Sequence, residues 1–166
     1  KKGIYQLARA WNIVNAQMPE ARLIILGKGP KQAVIDHLNE DAISSVLFMG
    51  HVSTEELYDH LLASAISVFP SYAEAFSLAP LEAMACGTAV INSNRSSGPE
   101  LVDDQVSGLL IDPNNINQIT SAILHLLNDR RACVRLAENG NHKVKEQFDI
   151  SIIAEQHVLF YQQVLQ

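Results

Sequence analysis

The chain has 166 residues, the length of one ordinary domain; 48% are hydrophobic and only 18% charged, enough for a core and too little charge for a disordered chain. Acidic residues outnumber basic ones, 18 against 12, and the formal net charge is −6, which argues against the basic stripe of a nucleic-acid surface. A nucleotide held by backbone amides and a few local charges remains compatible with that balance. Cys86 and Cys133 stand far apart with no CxxC or Cys/His spacing. Two free thiols are therefore expected, rather than a zinc site or a disulfide. No apolar run reaches the length of a membrane span. The chain opens on Lys1 without a methionine and shows no leader, and it is read as a piece of a longer protein.

Helical and strand patterns alternate through the first two thirds. Ile4, Leu7, Ala8, Trp11, Ile13 and Val14 mark one face of a helix from Ile4 to Gln17, which Pro19 stops. A doubly buried strand follows over residues 21–27, then a Gly27-Lys28-Gly29-Pro30 turn whose proline opens a helix running to about Asn39. Residues 45–49 read as the next strand. Ser53 and Glu56 form a capping box at the start of the helix after it. A strand at 65–70 is closed by Pro70, residues 77–86 form a helix, 88–92 a strand, 98–103 a short helix and 108–112 a last strand. From Asn117 onward the pattern is helical, with Ile119, Ile123, Leu126 and Leu127 on one face and a final helix over Ile153 to Leu165. Strands joined by helical crossovers predict a parallel sheet covered on both faces. Ligands of such sheets lie beyond the carboxyl ends of the strands. The turns at 27–30, 49–53, 70–77, 92–100 and 111–114 are therefore the segments to inspect.

One stretch there carries chemistry. Between Pro70 and Ile91, Glu74 lies in the turn after a strand and Glu82 on the helix that follows, with seven residues between them. The helix start near Phe76 to Ala79 offers free amides and the positive end of a helix dipole to an anion. The small residues Ala75 and Ser77 let a ligand approach. This arrangement suits a nucleoside diphosphate sugar: the diphosphate on the Phe76–Ala79 amides, both ribose hydroxyls on the Glu82 carboxylate, Glu74 on the sugar side. Glutamates are most often solvated, but Glu82 sits inside an apolar run from Leu78 to Val90, which weighs against a merely solvated role.

The run from Ser71 to Ile91 resembles the E-x7-E signature of retaining glycosyltransferases of the GT-B fold, the large family-4 group. Gly27-Lys28-Gly29-Pro30 is similar to that family's glycine turn, and Phe48-Met49-Gly50-His51-Val52 to its base-binding turn. Ser97-Gly98-Pro99-Glu100-Leu101-Val102 and Gly108-Leu109-Leu110-Ile111-Asp112-Pro113 resemble its two later segments. The ordered segments cover nearly the whole chain. The resemblance implies an α/β fold, a Rossmann-like doubly wound parallel sheet equivalent to the C-terminal half of a GT-B enzyme, with a helical C-terminal segment. Residues 1–166 then form a nucleotide-sugar-binding domain that lacks the acceptor-binding N-terminal domain and the first strand. That strand normally lies mid-sheet, and the gap is expected to be closed by pairing of the flanking strands, by a partner chain or by upstream residues. Five parallel strands are expected, not six.

Carried over residue by residue, the resemblance implies that Glu82 binds the ribose and that Glu74 contacts the donor sugar or its phosphates. Phe76, Ser77 and Leu78 offer amides to the diphosphate, and Met49 and Val52 flank the base. Lys2, in Lys2-Gly3, neutralises the leaving diphosphate. Two departures stand out: Ala75 and Ser77 replace common glycines, and the arginine that normally precedes Lys2 is absent. The implied reaction is sugar transfer from a nucleoside diphosphate sugar with retention, in polysaccharide or glycolipid synthesis. The implied partners are that donor and the N-terminal domain of the same enzyme, with no nucleic acid, no metal and no cofactor besides the substrate. The expected location is cytoplasmic, with peripheral membrane association of the parent left open. A sugar-nucleotide epimerase of the same fold and a non-catalytic nucleotide-binding module are the alternatives. Elsewhere, Gly27-Lys28-Gly29 lacks the Walker spacing, and the histidines share no metal spacing. His51 and Arg95 read most simply as surface residues, and Glu100 as a brace of its short helix.

Overall fold

A computed structural model describes residues 1–165. The first helix, α1 (Ile4–Gln17), buries Leu7, Ala8, Trp11 and Val14 of the expected stripe together with Ala10, while Ile13, expected on the same face, is exposed. Its Trp11 indole donates to Ser45 Oγ at 2.8 Å, and that hydroxyl donates to the Ala42 carbonyl at 2.7 Å. Strand β1 (Leu23–Leu26) pairs in parallel with β2 (Val46–Gly50).

The helix expected to run from Pro30 to about Asn39 ends at Ile35 as α2 (Lys31–Ile35), and a separate short helix, α3 (Glu40–Ile43), follows it. The cause lies on α1. Asn12 donates to the His37 carbonyl at 2.9 Å and accepts from the Asn39 N–H at 2.8 Å. One side chain thus satisfies two backbone groups at the break, and Asn39 is extended, with φ −75° and ψ 156°.

Helix α4 (Thr54–Ala63) begins with the expected capping box. The Glu56 N–H donates to Ser53 Oγ at 3.2 Å and the Ser53 N–H donates to the Glu56 carboxylate at 2.8 Å. Then follow β3 (Ile66–Phe69), α5 (Leu78–Ala85), β4 (Ala89–Ser93), α6 (Gly98–Leu101) and β5 (Leu109–Ile111). Three helices close the chain: α7 (Ile116–Asn128), α8 (Arg130–Gln147) and α9 (Ile150–Val164).

All strand pairs are parallel, and helices cover both faces. Strand β4 is buried throughout: Ala89 and Ile91 join the core built with α1, α7 and α8, while Val90 joins the one built with α4, α5 and α6. The five strands form two sheets, β1-β2 and β3-β4-β5. Pairing of the flanking strands, one of the expected closures, is not found, since β1 and β3 are not bonded to each other. The Leu23 N–H donates to Ser45 and the Ala89 N–H to Ala65, so by strand alternation Ile24, Ile66 and Val68 turn their backbone groups away from the existing partners. The space between β1 and β3 opens into a cavity of about 910 Å³. Helix α9 buries no residue and leaves Ile150, Phe160 and Val164 exposed. Among the described residues no helix is long and apolar enough to cross a membrane.

Candidate functional site

The carboxyl ends of the strands carry the turns that the sequence singles out. The site begins at the Lys2-Gly3 pair. Gly3 adopts φ 69°, and a Cβ there would overlap the carbonyl oxygen of Pro70 at the end of β3. Only glycine permits that approach. The Tyr72 N–H donates to the Lys1 carbonyl at 2.9 Å, joining the same two segments. Lys2 Nζ is thereby brought to 2.5 Å from Glu74 Oε1. The Lys2 hydrogen bond holds the Glu74 carboxyl below its ordinary pKa; the Ser71 side chain and the charges of Lys2 and Lys1 act in the same direction, and partial burial opposes them.

Helix α5 starts beside this pair. Its N-cap, Ser77, is extended and makes no side-chain cap bond. The first-turn amides of Leu78 and Ala79 therefore lack a side-chain partner, and Pro80, at the third helical position, brings no N–H of its own. Such a helix start is suited to a phosphate. One turn on, Glu82 is half-buried beside the buried Leu81, Ala83 and Met84. The cavity wall gathers Lys2, Ser77 and Glu82 with Gly27, Lys28 and Gly29.

The remaining expected residues lie around that wall. Glu74 reaches it through Lys2. Phe76 and Leu78 are exposed, and the Phe76 ring lies 6.2 Å from that of Phe148. At the end of β2, Phe48 lines the cavity, whereas exposed Met49 and, on the turn that follows, half-buried Val52 do not. Lys31 Nζ sits 5.2 Å from the centre of the Phe48 ring. His51 and Glu100 are exposed, and Glu100 lies in the first turn of α6. Among the described residues no group of three or more His, Cys, Asp and Glu side chains is arranged to hold a metal ion.

Sequence reading missed three contributors. Ser71 lines the cavity, and its side chain helps to hold the Glu74 carboxyl below its ordinary pKa. Ser96 Oγ accepts from the Glu74 N–H at 3.4 Å. Arg95, read as a solvated loop residue, donates to Asp112 at 3.0 Å and ties the ends of β4 and β5 together. The Asn114 N–H first, and Arg95 second, hold the Asp112 carboxyl below its ordinary pKa. Serine carries no signal of its own in a loop, and an ion pair across seventeen residues is invisible to local patterning.

The family described as "Glycosyl transferases group 1" matches residues 1–143. The GDP-mannose-dependent monoacylated alpha-(1-6)-phosphatidylinositol monomannoside mannosyltransferase of Corynebacterium glutamicum is 28% identical over 164 residues, covering 93% of this chain and 42% of that protein. The sucrose-phosphate synthase of Thermosynechococcus elongatus superposes with a TM-score of 0.84 at 30% identity, covering 99% of this chain and 43% of that one. Anabaena Alr3699/HepE, solved in complex with UDP, superposes with a TM-score of 0.80 at 22% identity over 96% of this chain and 46% of its own. The chain thus spans less than half the length of each of these three proteins.

Proposed function

This chain belongs to the glycosyl transferases group 1 family, with the fold of a GT-B C-terminal domain, and from that premise we propose that it is the donor-binding half of a retaining glycosyltransferase. The donor is a nucleoside diphosphate sugar, and the parent enzyme builds a polysaccharide or glycolipid. The observation that carries this reading is the convergence of Lys2, the uncapped start of α5 and Glu82 on one cavity at the carboxyl ends of the strands. The UDP in the Anabaena complex and the GDP-mannose in the corynebacterial relative's name support a nucleotide donor.

In this reading the diphosphate lies on the amides of Ser77, Leu78 and Ala79, facing the positive end of α5. Glu82 accepts hydrogen bonds from the ribose hydroxyls. Phe76 contributes its amide, and Met49 and Val52 flank the base from the rim beyond Phe48. Glu74 meets the sugar. Lys2 and the helix amides stabilise the charge of the departing diphosphate, the role a metal fills in other transferases, so binding needs no metal. Retention follows if acceptor attack and diphosphate departure use the same face of the sugar, with no enzymic nucleophile. The acceptor is held by a companion N-terminal domain. The exposed apolar residues of α9 and the length of the relatives support such a companion.

The test is a thermal-shift panel of GDP-mannose, UDP-glucose and ADP-glucose against the chain. One base should raise the melting temperature in a dose-dependent manner. Indifference to all three at millimolar concentration would overturn the donor-site reading.

A further inference from the structure

Ser96 stands out because its backbone does something that its side chain makes costly. It lies in the turn between β4 and α6 at φ 54°, in the left-handed region that glycine enters freely and serine does not. The turn is held from several sides. The Asn94 N–H donates to Ile111 at 2.8 Å, the Arg95 N–H to Ser93 Oγ at 3.2 Å, and the Gly98 N–H to Arg95 at 3.0 Å. The Arg95–Asp112 pair spans 3.0 Å, and Gly98 lies so close to the Ser93 carbonyl oxygen that a Cβ would overlap it. Strain of this kind persists where the surroundings over-determine it.

What the strained residue holds is the Glu74 loop. Ser96 Oγ accepts from the Glu74 N–H at 3.4 Å, a length that leaves room to tighten when a ligand closes the site. A further side-chain tie of the loop is Tyr72, whose hydroxyl donates to the Pro113 carbonyl at 3.4 Å. The second non-glycine residue with positive φ, Gln105 at 62°, serves only the fold: its N–H donates to Gly108 at 2.8 Å and its carbonyl accepts from Arg135 at 3.2 Å.

We propose that Ser96 is a positioning residue for the donor sugar: its hydroxyl fixes the backbone of the Glu74 loop so that the Glu74 carboxylate meets the sugar. The proposal rests on the reading of Glu74 given above. A serine at this position keeps the acceptor that a glycine would lose, and the conformational cost goes with it. Binding of the nucleotide itself, on α5 and Glu82, does not depend on Ser96. Its effect is confined to the difference in affinity between a nucleoside diphosphate and the matching sugar donor.

The experiment is isothermal titration of GDP against GDP-mannose, and of UDP against UDP-glucose, into the chain and four variants, with melting temperatures recorded alongside. Ser96→Gly relieves the left-handed φ, so it should melt at or above the wild-type temperature. It should nonetheless lose up to about tenfold in affinity for the sugar donor, the scale of one hydrogen bond, with nucleoside diphosphate affinity held within about twofold. Ser96→Asn tolerates the same backbone and keeps an acceptor, and should retain most of the sugar affinity. Gln105→Gly should melt higher with both affinities unchanged, and Glu74→Ala should lose sugar affinity as Ser96→Gly does. If Glu74→Ala loses sugar affinity and Ser96→Gly does not, the role of Ser96 is overturned and that of Glu74 stands. If neither variant changes it, the Glu74 reading falls and the proposal falls with it. Parallel loss of both affinities together with melting temperature in Ser96→Gly would mark a structural role alone and also overturn the proposal.

Discussion

At the scale of single residues, the two glutamates are separable by experiment. Glu82 is half-buried on the cavity wall and Glu100 is exposed on another helix. Hydrogen bonds to a carboxylate are worth about 1.5–3 kcal/mol, so Glu82→Ala should weaken nucleotide binding at least about tenfold, and Glu100→Ala should leave it nearly unchanged in the same titration. Equal effects would remove the ribose assignment. Glu74 answers to pH instead. Its folded-state pKa is lowered by Lys2. Stability from the pair is therefore fully present above the unfolded glutamate value of roughly 4.3, and it is lost as pH falls through the lower folded value. A carbon-detected NMR titration should place the Glu74 midpoint below that of a free glutamate, and Lys2→Met should return it toward the ordinary value. With Lys2 two-thirds exposed, at 67%, the same substitution should cost about 1 kcal/mol of stability or less. Both glutamates were legible as candidates from their spacing, and Lys2 from the family resemblance alone. Ser71 and Ser96 were not: a loop serine carries no signal of its own, and Ser96 meets the Glu74 N–H from twenty-two residues away.

At the scale of elements, helix α5 starts uncapped beside the cavity, where the diphosphate is proposed to lie, and is held at its other end. Asn141 of α8 donates to the carbonyls of Met84 at 3.1 Å and Ala85 at 2.7 Å at the end of the helix, where the Met84 carbonyl also accepts from the Gly87 N–H. Asn141→Ala should cost about 1 kcal/mol in a denaturant melt, the net scale of an ordinary hydrogen bond, while the nucleotide titration stays close to wild type. A large loss of affinity without a loss of stability would mean that α8 bears on the site directly. The elements legible in advance were those whose instructions are local: the α1 stripe, the Ser53–Glu56 capping box, the short strands ended by Gly50 and Pro70. The break between α2 and α3 was not legible, because Asn12, which satisfies the backbone at His37 and Asn39, lies 25 and 27 residues away. Likewise the short helix expected to reach Asp103 ends at Leu101 as α6, where Val102 turns extended at ψ 122°.

At the scale of the whole molecule, the order of five strands was readable from alternating patterns, but their division into two sheets follows from which edges meet. That division has a measurable signature. The amides of Ile24, Ile66 and Val68, turned toward the open space between β1 and β3, should exchange with solvent much faster than those of Val90 and Ile91 in β4, which is paired on both sides. Uniform protection across β3 would show that its outer edge is covered. The same space joins the candidate donor site, so the site and the gap share one cavity. Lys2, the start of α5 and Glu82 are proposed together to make a nucleoside diphosphate site that works without a metal. Isothermal titration of GDP, UDP and ADP in EDTA, on the wild type and Glu82→Ala, tests that proposal most directly. Saturable one-to-one binding of one nucleotide in EDTA, weakened at least about tenfold in Glu82→Ala, is the expected result; binding that appears only after magnesium is added, or that is the same in both proteins, would contradict it.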